Sequence, residues 1–280
     1  MDLNLLIASD ENFLPHAVVA LTSACENNRR HRIRIFYLHS GLGEADMEKA
    51  RAHFQRYGAV VDFIQTDDGA LRQLPLRPDL TTPTYFRIVC GEVLPPEVER
   101  VFYVDCDIIF RAALDEIYTM DLNGCAVAAV RDSYVNESPW LGQINGFTGA
   151  QVREYFNSGV LLIDLARYRS NGVGQSVMAL LDRFQADFRF ADQDALNVAL
   201  AGQWRALPFK WNVQSYWYSR HFWEGSAGSP LGHREQVMAA VRDPAILHYT
   251  TPSKPWHPAN AHPLKQEYLK YRQLTPYAER

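Results

Sequence analysis

Short apolar runs punctuate this chain: Leu3 to Ala8, Ile33 to Leu38, Val60 to Ile64, Val101 to Val104, Ala126 to Val130 and Gly159 to Ile163. Each is too short to bury a helix and is little interrupted by polar residues, the pattern of strands covered on both faces. Stretches of mixed polarity separate them, over Phe13 to Asn28, Glu44 to Tyr57, Tyr85 to Cys90, Ser176 to Phe188 and Asp192 to Ala201. In the first, Val18, Leu21, Thr22 and Cys25 share one helical face. This alternation predicts an α/β fold with a mainly parallel sheet and helices on both faces. Further on the chain turns loop-rich and aromatic, with Trp211, Tyr216, Trp217, Tyr218, Phe222 and Trp223. That segment suits either an aromatic core or a surface on which sugar rings stack. No repeat or linker interrupts the pattern, so a single domain over residues 1–280 with a C-terminal elaboration is expected.

The run Val101-Phe102-Tyr103-Val104 leads into Asp105-Cys106-Asp107, and apolar residues resume at Ile108-Ile109. Read as one buried strand, it carries two carboxylates in an apolar setting. Unpaired, each costs several kcal/mol or more. A divalent cation shared by both acids at the carboxyl end of a strand, with phosphate oxygens on its far side, removes that cost. The same spacing also fits an exposed turn.

Composition narrows the function. With 47% hydrophobic and 21% charged residues the chain is ordinary globular protein, and a net charge of −4 argues against general nucleic-acid binding. Cys25, Cys90, Cys106 and Cys125 form neither a C-x-x-C pair nor a zinc spacing, and read as reduced thiols of a cytosolic protein. Met1 to Ile7 lacks the features of a signal peptide, and no apolar run approaches the ~18 residues of a membrane span.

Other polar residues fall where open α/β sheets bind ligands. Ala8-Ser9-Asp10-Glu11-Asn12 follows the first strand, where Asp10 or Asn12 either reads a ligand or caps the next helix. The glycine-rich dinucleotide fingerprint and the phosphate loop are both absent. Arg87 offers a planar fork to phosphate or sugar oxygens, or lies on the surface. Asn157 precedes a strand with Gly159 two residues on, and Asp192-Gln193-Asp194 opens a helix, with Asp192 either its cap or a partner of sugar hydroxyls. Ile246 to Tyr249 reads as a strand delivering His248, with Lys254 six residues later. A carboxylate–imidazole ligand set with phosphate oxygens suits Mn²⁺ better than Mg²⁺.

Taken in order, Asp10 and Asn12, Arg87, Asp105-Cys106-Asp107, Asn157 in Phe-Asn-Ser-Gly-Val, Asp192-Gln193-Asp194, and His248 through Lys254-Pro255-Trp256 resemble glycosyltransferase family 8. They span about 250 of the 280 residues, and the likeness is greatest to bacterial lipopolysaccharide and lipo-oligosaccharide α-galactosyl- and glucosyltransferases. The resemblance implies a GT-A fold with a Rossmann-like sheet, and retaining transfer of galactose or glucose from a UDP-sugar to a saccharide hydroxyl. It implies Mn²⁺ (or Mg²⁺) on Asp105, Asp107 and His248. It places Ala8, Asp10 and Asn12 at the uridine, with Asp105 near the ribose, and Lys254 at the diphosphate. Arg87, Asn157, Asp192 and Gln193 would meet the donor sugar, with Gln193 beneath the anomeric carbon, and Asp132 would face the acceptor. Those relatives usually carry a longer basic and aromatic tail. Here Pro263 to Arg272 offers only Lys265, Lys270 and Arg272, so weak peripheral contact with the inner membrane face is the most expected.

Two other classes fit parts of the pattern. Haloacid-dehalogenase-type phosphatases also use Asp-x-Asp after a strand, but usually with Thr or Val where Ile109 stands, and near the N-terminus. A non-catalytic sugar-nucleotide-binding protein would need the same ligands without turnover.

Overall fold

The computed structural model describes residues 1–69, 71–74, 81–132, 154–224 and 233–279. Its first half is a βαβαβ run: β1 (Asp2–Ala8), α1 (Leu14–Asn27), β2 (Arg32–His39), α2 (Glu44–Gln55) and β3 (Val60–Gln65). A 3₁₀ helix, Thr82–Arg87, and a short α3 (Cys90–Val93) lead to β4 (Arg100–Val104). The sequence predicts one helix over Tyr85 to Cys90. Pro83 at the start of the 3₁₀ turn is a physical reason for the tighter, shorter piece.

Next come β5 (Ile108–Phe110), α4 (Asp115–Tyr118), β6 (Val127–Arg131) and β7 (Phe156–Asp164). Then follow α5 (Leu165–Ser170), α6 (Val173–Phe184), α7 (Asp192–Ala199), β8 (Trp204–Ala206), β9 (Val213–Gln214), α8 (Arg220–Glu224), α9 (Arg234–Arg242), β10 (Ile246–His248) and α10 (Lys265–Arg272). The central sheet has the order β3-β2-β1-β4-β7-β6-β8, and only β7 runs against the rest. The mainly parallel sheet is as expected. β7 is buried along eight of its nine residues.

The acid-bearing run is not one strand. β4 ends at Val104 in the central sheet, Asp105 to Asp107 form a turn, and β5 enters a second sheet of order β5-β10-β9. Both halves are apolar because both sheets pack on the same core, so hydrophobicity alone does not mark the break. α1 lies between the two sheets: Val18 and Leu21 join the main core, while Val19 meets Ile109, Leu247, Tyr268 and Tyr271. It is accordingly buried almost all round rather than on one face.

The aromatic segment divides. Trp211 and Trp217 are at most 1% exposed and belong to the core, whereas Tyr216 is half-buried and lines a cavity. The apolar side of α10 is used as well, with Tyr268 and Tyr271 buried. Among the described residues no helix is long and apolar enough to cross a membrane.

Candidate active site

Breaking the strand at Asp105 frees both carboxylates from either sheet and turns them toward β10. Antiparallel pairing sets His248 opposite Ile108, and Tyr249 N–H donates to the Asp107 carbonyl at 2.9 Å. His248 Nε2 thereby lies 3.2 Å from Asp107 Oδ1 and 3.7 Å from Asp105 Oδ2. One ligand atom from each residue falls within 4.8 Å of the other two. Lys254 closes the far side, donating to Asp107 Oδ2 at 2.6 Å and to the Tyr249 carbonyl at 2.8 Å. Burial pushes the Asp107 carboxyl up, but Lys254 and His248 outweigh it and hold the group well below the usual carboxylate range.

The imidazole is oriented by a residue that sequence reading missed. Asn212 Nδ2 donates to Asn157 Oδ1 at 2.9 Å, which leaves Asn212 Oδ1 facing His248 Nδ1, also at 2.9 Å. His248 Nδ1–H therefore donates to Asn212, which turns Nε2 toward the two carboxylates. Two carboxylates and an imidazole nitrogen converging on one point make a donor set that a cation among them would satisfy. Outer partners that fix a ligating histidine in this way are common at metal sites. The signal was the alternation Trp211-Asn212-Val213-Gln214, apolar in and polar out, in a stretch otherwise read as loop.

A second cluster adjoins the first. Arg87 is 5% exposed, with Nη2 at 3.1 Å from Asp105 Oδ1 and Nε at 3.0 Å from Asp192 Oδ2. It also donates to the Thr84 carbonyl at 2.9 Å and the Ser158 carbonyl at 2.6 Å. Burial disfavours its charge, yet Asp105 and Asp192 more than restore it. Tyr103 donates to Asp105 Oδ1 at 2.7 Å. Asp192 does not cap α7; that place falls to Ala191, held at φ 48°, a strained conformation for a residue with a Cβ. The Nε–H of Arg87 points to Thr84, so Asp192 Oδ2 has the charge beside it but no aligned hydrogen bond.

Gln193 is fixed by its neighbours. Its Oε1 accepts from Ser158 N–H at 3.0 Å, and its Nε2 donates to Tyr155 Oη at 3.2 Å and Asp132 Oδ2 at 3.4 Å. Asp132 also accepts from Asn157 Nδ2 at 3.2 Å and Tyr216 Oη at 2.8 Å. Tyr155 in turn donates to Asp194.

These side chains line a cavity of about 480 Å³, with Ala8, Arg87, Asp105, Asp107, Asn157, Asp192, Gln193, His248 and Lys254 all on its wall. Asp10 and Asn12 are not among its lining residues. Asp10 Oδ1 accepts from the N–H groups of Asn12 and Phe13, both at 3.0 Å, in a turn just ahead of α1, whose N-cap is Phe13 without a side-chain bond, so neither Asp10 nor Asn12 caps the helix. Asn12 lines a neighbouring cavity of about 340 Å³ with His16 and Trp256. Ser9 and Phe13 from the same loop do line the main one.

A sequence model described as "Glycosyl transferase family 8" matches residues 4–260. The chain belongs to this glycosyltransferase family. It is 25% identical to General stress protein A of Bacillus subtilis, over 98% of this chain and 94% of that one. It is 24% identical to lipopolysaccharide 1,3-galactosyltransferase of Salmonella typhimurium, over 98% of this chain and 79% of that one. The crystal structure of galactosyltransferase LgtC in complex with donor and acceptor sugar analogues superposes with a TM-score of 0.86 at 24% identity, covering 98% of this chain and 96% of that chain. The GT-A architecture is therefore shared, and the phosphatase alternative falls away.

The glycosyltransferase cavity passes a steric test for an ion. A Cβ added to Gly159 would collide with the His248 ring and stand 2.6 Å from Asp105 Oδ2. Space at this glycine is what lets the imidazole and carboxylate approach the same point. Asp105, Asp107 and His248 thus fit a divalent cation, by donor set and by room.

Asp192 carries a measurable energetic signature. Burial pushes its carboxyl up to about 6 from 3.8, with Arg87 opposing and Asp105 reinforcing the shift. A raised folded pKa means the native state is penalised at neutral pH, and the penalty disappears as pH falls from about 6 through 3.8. Asp192→Asn should therefore be more stable than wild type at pH 7.5, by roughly 1–3 kcal/mol. At pH near 4 the two should have nearly equal stability. Urea unfolding at both pH values measures this, and a destabilised variant at pH 7.5 would contradict it.

Proposed function

We propose that this glycosyltransferase moves a hexose, galactose or glucose, from a UDP-sugar to a saccharide hydroxyl with retention of configuration, with residues 1–280 acting as one unit. The observation that carries the reading is the convergence of Asp105, Asp107 and His248 beside Lys254, adjoined through Asp105 by the buried Arg87–Asp192 pair on the wall of one cavity. Such a site would hold a cation at one end and sugar hydroxyls at the other, matching the two ends of a sugar diphosphate.

Asp105, Asp107 and His248 would hold Mn²⁺, with Mg²⁺ the second choice. The ion would supply Lewis-acid stabilisation of the charge that grows on the leaving diphosphate. Lys254 shares that task. On donor binding it would exchange part of its contact with Asp107 for phosphate oxygen. Asp192 Oδ2, buried and without an aligned donor, suits a sugar hydroxyl, and Arg87 holds it in place. Asn157 braces the sugar side through Asp132 and Asn212. Ala8, Asp10 and Asn12 are proposed at the uridine, with Asp10 keeping its bonds to the turn before α1.

As the glycosidic bond breaks, the sugar gains positive charge. Gln193 offers a carbonyl dipole fixed by Ser158, but a neutral amide is a poor nucleophile. Attack from the face that UDP leaves, with the departing phosphate taking the acceptor proton, fits this arrangement. Asp132 and Tyr216 would border the acceptor. The relatives named above suggest cell-surface glycan or lipopolysaccharide assembly. A cytoplasmic place with weak membrane contact agrees with an α10 whose tyrosines are spent on α1.

A panel of nucleotide sugars tests the reading. Slow hydrolysis or transfer should be seen with UDP-galactose or UDP-glucose, and UDP should inhibit far better than GDP or ADP. Equal inhibition by all three would remove Asp10 and Asn12 from the proposed nucleotide contacts, and no turnover of any UDP-sugar would leave only a binding protein.

A further inference from the structure

Along the strip from Trp211 to Gln214 the side chains alternate. Trp211 and Val213 enter the core, and Asn212 faces His248 and Asn157. Gln214, two residues past Asn212, lies on the same side of the strand. Parallel pairing sets it beside His248 on β10, so both side chains point to one face. Gln214 lines the main cavity and is 0% exposed. Neither its Oε1 nor its Nε2 has a hydrogen-bond partner, among the described residues. On the adjoining strip, Thr250 Oγ1 is likewise buried without a partner and lines the same wall.

A buried primary amide with both ends unmatched is costly, and such groups normally find partners. The nearby polar residues are already committed to one another: Asn212 to His248 and Asn157, and Tyr216 to Asp132. The cavity wall beside His248 therefore keeps an unmatched donor and acceptor. A sugar hydroxyl, which both donates and accepts, matches an amide at both ends.

We propose that Gln214 is a specificity-determining residue that holds a hydroxyl of the acceptor saccharide. This rests on the proposed glycosyl transfer for the identity of the ligand, though not for the unmatched amide itself. The amide is kept at a cost to the free protein and is satisfied when its side chain turns into the cavity to meet the docking acceptor. A site built to bond a hydroxyl discriminates strongly against ligands that lack it.

Gln214→Met, of similar length and without polar atoms, tests both parts. In thermal unfolding without ligands, removal of the unmatched amide should raise Tm by about 2–4 °C for each kcal/mol recovered. A fall in Tm would mean that the amide has a structural partner, and would overturn the proposal. Transfer is read with methyl α- and β-glycosides of glucose and galactose as acceptor probes. For the probe that wild type uses best, KM should rise roughly tenfold or more in the variant. Donor KM and the rate of UDP-hexose hydrolysis without acceptor should stay within about twofold. Gln214→Glu, which keeps an acceptor atom, should lose less acceptor affinity than Gln214→Met. A change in donor KM with acceptor KM unmoved would overturn the assignment to the acceptor. If wild type turns over no UDP-sugar, the proposed function fails, and the Tm comparison still decides whether Gln214 is unmatched.

Discussion

Chelator should abolish UDP-hexose turnover, Mn²⁺ should restore it, and Asp107→Ala should lower the rate by roughly a thousandfold or more at saturating metal. The size of the effect follows from how many tasks converge on one carboxylate. Asp107 faces His248 through Oδ1 and Lys254 through Oδ2, so its loss would remove a proposed ligand and free the lysine proposed to neutralise the diphosphate. The fold should survive the change at a cost in stability, because Lys254 loses its buried partner while the two sheets keep their cores. Circular dichroism and steady-state assays on the same preparation separate the two effects. Full activity of Asp107→Ala, or of chelated wild type, would contradict the metal site.

Gly159→Ala should be nearly as damaging, with turnover reduced by about a hundredfold or more and Mn²⁺ affinity falling in parallel. The added methyl would occupy space now shared by the His248 ring and Asp105 Oδ2, two of the three groups proposed to hold the metal. Neither can retreat cheaply. His248 is tied to Asn212, and Asp105 to Tyr103 and Arg87. Backbone geometry at Gly159 raises no objection to alanine, so the effect is steric and local. Mn²⁺ titration followed by electron paramagnetic resonance reads it directly. Unchanged metal affinity would mean that Asp105 and His248 do not share an ion.

Much of this site was legible before any coordinates. The strand–helix alternation of residues 3–64 came through because each strand is a short apolar run broken by a single polar residue, Asn4, Arg34 or Asp62. Asp105, Asp107, His248 and Lys254 could be named because order along the chain survives folding. What stayed hidden was pairing. Nothing local in Ile246-Leu247-His248 tells that it lies antiparallel to Ile108–Phe110, and that register alone brings the imidazole to the acids. The break after Val104 was masked because apolar residues continue on both sides of it. Asn212, Tyr155 and Tyr103 act through hydrogen bonds to residues 36–55, 38–39 and 2 positions away respectively, and only Tyr103 lies close to its partner in sequence. Asp10 shows the opposite case. Its polar place before α1 was readable locally, but its side chain holds the turn ahead of the helix rather than capping it, and its proposed role at uridine depends on a ligand.

The most direct measurement follows the anomeric protons by NMR while the protein, with Mn²⁺, consumes α-linked UDP-galactose or UDP-glucose in the absence of acceptor. Water then takes the place of the acceptor hydroxyl, so no acceptor need be known. The account predicts metal-dependent loss of the donor and the α-anomer as the first free sugar, before mutarotation mixes it with β. A β-anomer formed first, or a donor that persists unchanged at every metal concentration, would contradict it.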